Sequence, residues 1–207
     1  MIYDLNLEWS KSADLFYMLV WVFRMAPMSK IESREDETER LIDLSGLSSM
    51  SKGNIVEDRI KELIVLYGQG LLNVYKPVVD NRGIDLIVMR EGVFMPIFLQ
   101  VKSRFNALAK EMLLIDVSDK TFNPHHSFYI AGASFNPSTL ELDNKLLFIP
   151  SKIFEEKATH IKEYNKKRVT VSLRSNSKSQ WTKYLISKSE LVDALFEKFE
   201  EMSQYLR

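Results

Sequence analysis

The stretch from Gly83 to Arg104, GIDLIVMREGVFMPIFLQVKSR, constrains the fold of this chain more than any other. It predicts two strands joined by a tight turn at Glu91 and Gly92, with Asp85 opening the first strand and Gln100 and Lys102 near the end of the second. Side chains two apart in a strand share a face, so Gln100 and Lys102 project together while Leu99 and Val101 enter the opposite layer. With Arg90 opposite Val93, Asp85 falls opposite Phe98 and diagonal to Gln100, on that same face. A loop longer or shorter by one residue would send Asp85 to the other side. Pro96 cannot donate to a ladder and is the position able to shift this register.

Around the hairpin the periodicities alternate. From Asn54 the pattern is helical, with Ile60, Leu63, Ile64 and Tyr67 recurring at spacings of three and four and Gly68 at the expected stop. Glu57 is expected in the first turn of that helix, bordering the buried stripe. Leu71–Val79 predicts a strand that Pro77 confines to an edge or bulge. After Arg104 a short helix (FNALAKEM) and a strand (LLIDV) are expected, then strands over Ser127–Ser134 and Lys145–Ile149 separated by the turn-rich NPSTLELDN. Ser151 opens a helix expected to reach about Tyr164, and Val169–Leu173 alternates as a strand. Ser187 and Glu190 have capping-box spacing, Ile186 and Leu191 form a staple, and Leu191, Leu195, Phe199, Met202 and Leu206 form the stripe of a C-terminal amphipathic helix. This order predicts the α/β class.

The three polar groups of the hairpin, held on one face, have a chemistry. Asp85 offers a carboxylate, Gln100 an amide carbonyl and Val101 its main-chain carbonyl, all hard oxygen donors suited to Mg²⁺ or Mn²⁺. Glu57 can approach from the preceding helix, and two carboxylates match the charge of one divalent ion. Lys102 would repel a bare cation and makes sense beside a bound anion or an activated water. Such a set is suited to hydrolysing a phosphodiester. Each residue also has a structural reading. Glu57 sits three after Asn54, as in a capping box; Asp85 follows Gly83 and could belong to a turn; Gln100 and Lys102 could form the solvated face of an edge strand.

The order Glu57, Ile84-Asp85, Gln100-Val101-Lys102, with a helix ahead of a hairpin, resembles the PD-(D/E)XK nuclease superfamily and its restriction-endonuclease-like fold, a mixed β-sheet core flanked by helices. Ile84 stands where the family name has proline, and Gln100 where it has Asp or Glu, so the third motif is similar to the Gln-x-Lys of Mrr-type restriction enzymes. The helix opening SKGNIVEDRIKELIVLYG resembles the first helix of archaeal Holliday-junction resolvases. The likeness covers roughly residues 51 to 150. It implies a Mg²⁺- or Mn²⁺-dependent nuclease acting on nucleic acid, DNA by expectation, with Glu57, Asp85 and Gln100 holding the metal and Lys102 serving the attacking water. Asp80 is a reserve ligand. Two alternatives stand beside it: a nucleic-acid-binding protein on the same fold without turnover, and a structural or partner-binding domain with the hairpin's polar groups scattered.

Composition narrows the rest. The 207 residues suit one sizeable core, expected over residues 51–207, with an appended segment at 1–50 whose boundary is marked by the charged stretch SKIESREDETER. Lys plus Arg equals Asp plus Glu at 28 each, so a surface for nucleic acid must be local. No cysteine is present, which excludes disulfides and thiolate chemistry and accords with a cytoplasmic setting. The apolar run LFYMLVWVF at Leu15–Phe23 is about half the roughly 20 residues a spanning helix requires, and it lacks the flanks of a secretory signal. It is expected instead to pack against a second copy, making a homodimer. His125 and His126 are adjacent in a loop and expected to point apart unless the backbone turns there, as a loop or substrate contact rather than a metal site. The basic stretch Lys162, Lys166, Lys167, Arg168, Arg174, Lys178 and Lys183, with Trp181 and Tyr184, is either a phosphate-tracking surface or a solvated loop whose rings pack under the C-terminal helix.

Overall fold

A computed structural model of the protein describes residues 43–79, 82–105, 111–174 and 177–204. The chain divides into two compact units, 1–40 and 41–207, and every described residue belongs to the second. The apolar run Leu15–Phe23 with its expected dimer contact, the reserve ligand Asp80 and the stripe residue Leu206 lie outside the described residues.

The first helix, α1 (Ser49–Tyr67), begins earlier than Asn54 because Ser48 supplies the cap: its hydroxyl accepts from the Ser51 N–H at 3.0 Å. Glu57 therefore stands in the third turn, and its expected capping partnership with Asn54 is replaced by other contacts described below. Val56, Ile60 and Ile64 form the fully buried stripe, whereas Tyr67 is half exposed. The helix stops at Gly68, whose N–H still reaches the Ile64 carbonyl, and the chain turns through Gln69 and Gly70, both at positive φ.

Strands β1 (Leu72–Tyr75), β2 (Leu86–Arg90), β3 (Ile97–Phe105), β5 (Phe128–Asn136), β6 (Glu141–Pro150) and β9 (Leu185–Ser187) form one mixed sheet in the order β1-β2-β3-β5-β6-β9. Only β3 and β5 run parallel in it. The edge strand β1 is shorter than expected and ends before Pro77, which could not donate to a ladder. Strand β5 is buried from Phe128 to Phe135, as befits a central strand covered on both sides, and its apolar run needs no alternation. The turn after it is shorter than expected, since β6 already begins at Glu141.

One face of this sheet packs on α1 and on α3 (Glu190–Gln204) through Leu86, Val88, Ile97, Leu99 and Val101. The predicted capping box is present at α3: the Ser187 hydroxyl accepts from the Glu190 N–H at 3.3 Å, and the Glu190 carboxylate accepts from the Ser187 N–H at 2.6 Å. The opposite face is covered by a second antiparallel sheet, β4 (Met112–Ser118), β8 (Lys166–Ser172) and β7 (Thr159–Ile161), ordered β4-β8-β7, and by the short helix α2 (Ser151–Lys157). Leu113, Ile115, Val117, Val169 and Val171 point inward from that sheet onto Ile130, Leu147 and Ile149. The helix expected to run to Tyr164 thus ends at Lys157, and β7 takes up the following residues.

A polar clamp ties the second sheet to β3. Arg104 on β3 donates to the Leu114 carbonyl at 2.7 Å and to Asp116 at 3.4 Å, while Arg168 on β8 makes two bonds to the same carboxylate at 2.6 and 2.8 Å. The Arg168 bonds are the main cause that holds the Asp116 carboxyl below its ordinary 3.8. A depressed folded pKa contributes stability that is present above the ordinary carboxylate range and is lost as pH falls through the lower folded value. Urea unfolding across acid pH tests this. The stability gap between wild type and Asp116→Asn should be constant above about pH 5 and shrink below about pH 4; parallel curves would contradict it.

Candidate functional site

The site lies where β2 begins and β3 runs on past it. The observed pairs are Leu86↔Leu99, Ile87↔Phe98 and Val88↔Ile97. Asp85 precedes the first of these pairs and its N–H meets the Leu99 carbonyl, so it does not stand opposite Phe98 as the tight turn implied. The connection spans residues 91–96 because Glu91 and Gly92 form the turn and Val93–Pro96 continue outside the ladder. The displacement is two residues, so each β2 side chain from Leu86 to Val88 stays on the face the tight turn implied, and Asp85 lies just ahead of the ladder.

Asp85 closes the gap in the ladder. Its N–H donates to the Leu99 carbonyl at 2.9 Å, and its carboxylate accepts from the Val101 N–H at 2.6 Å. The carboxylate thus occupies the place along the β3 edge that a main-chain carbonyl of β2 would take were that strand longer. Because the N–H and C=O of one strand residue share an edge, the Val101 carbonyl is directed to the same side as Asp85.

Gln100 is buried, with 3% of its surface exposed, and its carbonyl oxygen has no hydrogen-bond donor among the described residues. A buried acceptor left in this state costs roughly 1–3 kcal/mol, which in a folded protein calls for a reason. The amide is positioned by Gly83, which has φ +67°; a Cβ built there would lie 2.4 Å from Gln100 Nε2 and 3.5 Å from the Thr121 hydroxyl. Thr121, in the turn after β4, is a neighbour of the site that no sequence pattern indicated. Lys102 is half buried on the same strand face as Gln100, and no carboxylate pairs with it among the described residues.

Glu57 arrives from the other layer. Helix α1 covers the sheet face formed by Leu99 and Val101, opposite the face of Gln100 and Lys102. The Glu57 carboxylate lies 3.2 Å from the ammonium of Lys76, which also meets Asp58 at 2.8 Å. Lys76 follows Tyr75, the last residue of β1, which pairs with Ile87 of β2. The structure therefore sets the Asp85 carboxylate on the Val101 N–H, with Gln100 and Lys102 flanking Val101 along β3 and Glu57 on α1 engaged by Lys76. Among the described residues no three His, Cys, Asp or Glu side chains are clustered as a metal site. A cation at this edge would need a mixed set: the Asp85 carboxylate, the Gln100 carbonyl and the Val101 main-chain carbonyl. All three are hard oxygen donors of the kind Mg²⁺ and Mn²⁺ accept, and the orphaned Gln100 oxygen fits such a ligand role.

The other candidates resolve differently. His125 and His126 do not point apart: their ring centroids lie 3.9 Å from each other. The backbone turns there because Ser151 accepts from the His125 N–H at 2.9 Å and donates back to the His125 carbonyl at 2.8 Å. Burial, His126 and Lys152 all disfavour charging His125, which lowers its pKa. In the basic stretch, Trp181 packs in the cluster beneath the second sheet with Tyr184 beside it, not under the C-terminal helix. Lys167, Arg168 and Arg174 are bound to Glu155, Asp116 and Glu111, so these three cations serve the fold.

The sequence matches no protein-family model and no curated protein. The fold is shared with a solved structure described as that of a bacterial homing endonuclease, I-Ssp6803I, at a TM-score of 0.54 and 16% identity over 76% of this chain and 98% of that one. The protein thus shares the α/β fold of that structure. No helix among the described residues is long and apolar enough to cross a membrane.

The packing of Gly83 on Gln100 is testable by comparison with Gly92, also at positive φ but with open space around its Cβ position. In urea unfolding Gly92→Ala should cost about 1 kcal/mol and Gly83→Ala about 3. Adding Gln100→Ala should remove the difference. Equal costs in the two single variants would show that the amide does not rest on Gly83.

Proposed function

We propose that this protein is a divalent-metal-dependent nuclease of the PD-(D/E)XK type that hydrolyses phosphodiester bonds in DNA. The observation that carries this reading is the Asp85 carboxylate on the Val101 N–H where β2 starts late against β3, flanked on β3 by a Gln100 carbonyl with no donor and a Lys102 with no carboxylate among the described residues. The endonuclease described for the solved neighbour supports it independently.

In this reading Asp85, Gln100 and the Val101 carbonyl hold Mg²⁺ or Mn²⁺, with Glu57 joining from α1. When bound, the ion supplies Lewis acidity to the scissile phosphate. Lys102 shares the face of Gln100 and is not committed to a carboxylate, so its ammonium can hydrogen-bond the attacking water and offset the charge that gathers on the phosphate oxygens. Water oxygen forms the new bond to phosphorus, the bond to the leaving sugar oxygen breaks, and that oxygen takes up a proton. Gln100 in place of a carboxylate leaves the ion less charge compensation, so Asp85 carries most of it.

A second reading, a nucleic-acid-binding protein on the same fold without turnover, is favoured by one observation: Glu57 is engaged by Lys76 rather than turned to the strand edge. Incubation of supercoiled plasmid, single-stranded DNA and RNA with millimolar Mg²⁺ or Mn²⁺ separates the two. Wild type should cut DNA, chelation should stop it, and Lys102→Ala and Asp85→Asn should each lose about 100-fold or more in rate. Equal cutting by wild type and Lys102→Ala, or none by either, would leave the binding reading.

A further inference from the structure

Glu57 and Asp58 are neighbours on α1, and neighbouring side chains on a helix diverge by about 100°. They nevertheless converge on a single ammonium, that of Lys76, at 3.2 and 2.8 Å. The end of β1 places Lys76 between them. The two carboxylates are not equivalent: the Glu57 side chain is 19% exposed, the Asp58 side chain 57%. Asp58 therefore holds the ammonium from the solvent side, and Glu57 holds it from the side nearer the sheet. Lys76 follows Tyr75, which pairs with Ile87, the second residue of β2.

We infer that Lys76 is a counter-charge that occupies Glu57 until a divalent cation displaces it, with Asp58 retaining the ammonium once Glu57 lets go. This rests on the proposed metal site and on Glu57 completing it. A cation and an ammonium on one sheltered carboxylate repel each other, and the repulsion is large where water is partly excluded. Glu57 consequently cannot serve both at full strength. The ammonium holds the carboxylate in place and raises the concentration of cation needed to claim it. Asp58 lowers the barrier to exchange, because Lys76 moves from two partners to one and not from one to none. Lys76 is in this sense a positioning residue for metal loading: it touches neither the substrate nor the reacting atoms, and it makes the occupied state a function of free Mg²⁺ or Mn²⁺.

The inference predicts opposite signs for two substitutions, which a purely structural salt bridge would not. Mn²⁺ affinity of the free protein, measured by calorimetry or by electron paramagnetic resonance without DNA, should tighten about tenfold in Lys76→Met, a change that keeps the apolar stem. It should weaken about threefold in Asp58→Asn, where Lys76 loses its second partner. Both effects should vanish in a Glu57→Gln background. Unchanged or weaker Mn²⁺ binding in Lys76→Met overturns the inference while leaving the metal site standing. No Mn²⁺ binding by wild type, or binding indifferent to Asp85→Asn, overturns the metal site itself and this inference with it.

Discussion

The hydrogen bond from the Val101 N–H to the Asp85 carboxylate, 2.6 Å long, is the contact on which the candidate site depends. Two paired strands of unequal reach leave unpaired donors on the longer one, and an unpaired buried N–H is costly. Here the longer strand is β3, and the missing acceptor is supplied by a side chain of the shorter strand's leading residue. One charged group thereby finishes the ladder, marks where the sheet opens and stands beside the carbonyl of Val101. Gly83 makes the approach possible: its backbone turns at positive φ and leaves the Gln100 amide the room a Cβ would take.

The same economy of parts organises the surrounding layers. Odd-numbered residues of β3 are committed to the helices and even-numbered ones to the opposite side, so Gln100 and Lys102 could not be buried in the helical core without inverting the strand. Arg104, next on that face, is used to dock β4 through Leu114 and Asp116. A single strand thus carries the polar groups of the site and the anchor for the second sheet, which ties the position of Lys102 to the integrity of that clamp.

Much of this was legible in residue order. The observed β2–β3 pairs are offset by two residues from those of a tight turn at Glu91 and Gly92, an even change that leaves each β2 side chain on the expected face. The capping box at α3 was legible because both of its bonds are local in sequence. What failed was information carried by distant partners. The start of α1 depended on Ser48, one of several serines in the neighbourhood. The short strands β7 and β9 have no periodicity of their own and exist because β8 and β6 offer edges to pair with. Lys76 followed β1 unremarked, since nothing local relates it to Glu57 across the gap between helix and strand. The burial of Trp181 under the second sheet likewise needed the existence of that sheet.

The central claim is that the opening between β2 and β3 is a divalent-cation site built on Asp85. Its most direct measurement is the anomalous diffraction of a crystal soaked in Mn²⁺. The account predicts one strong peak within bonding distance of the Asp85 carboxylate, the Gln100 carbonyl and the main-chain carbonyl of Val101, lost in Asp85→Asn. A peak elsewhere, or an undiminished one in that variant, would contradict it.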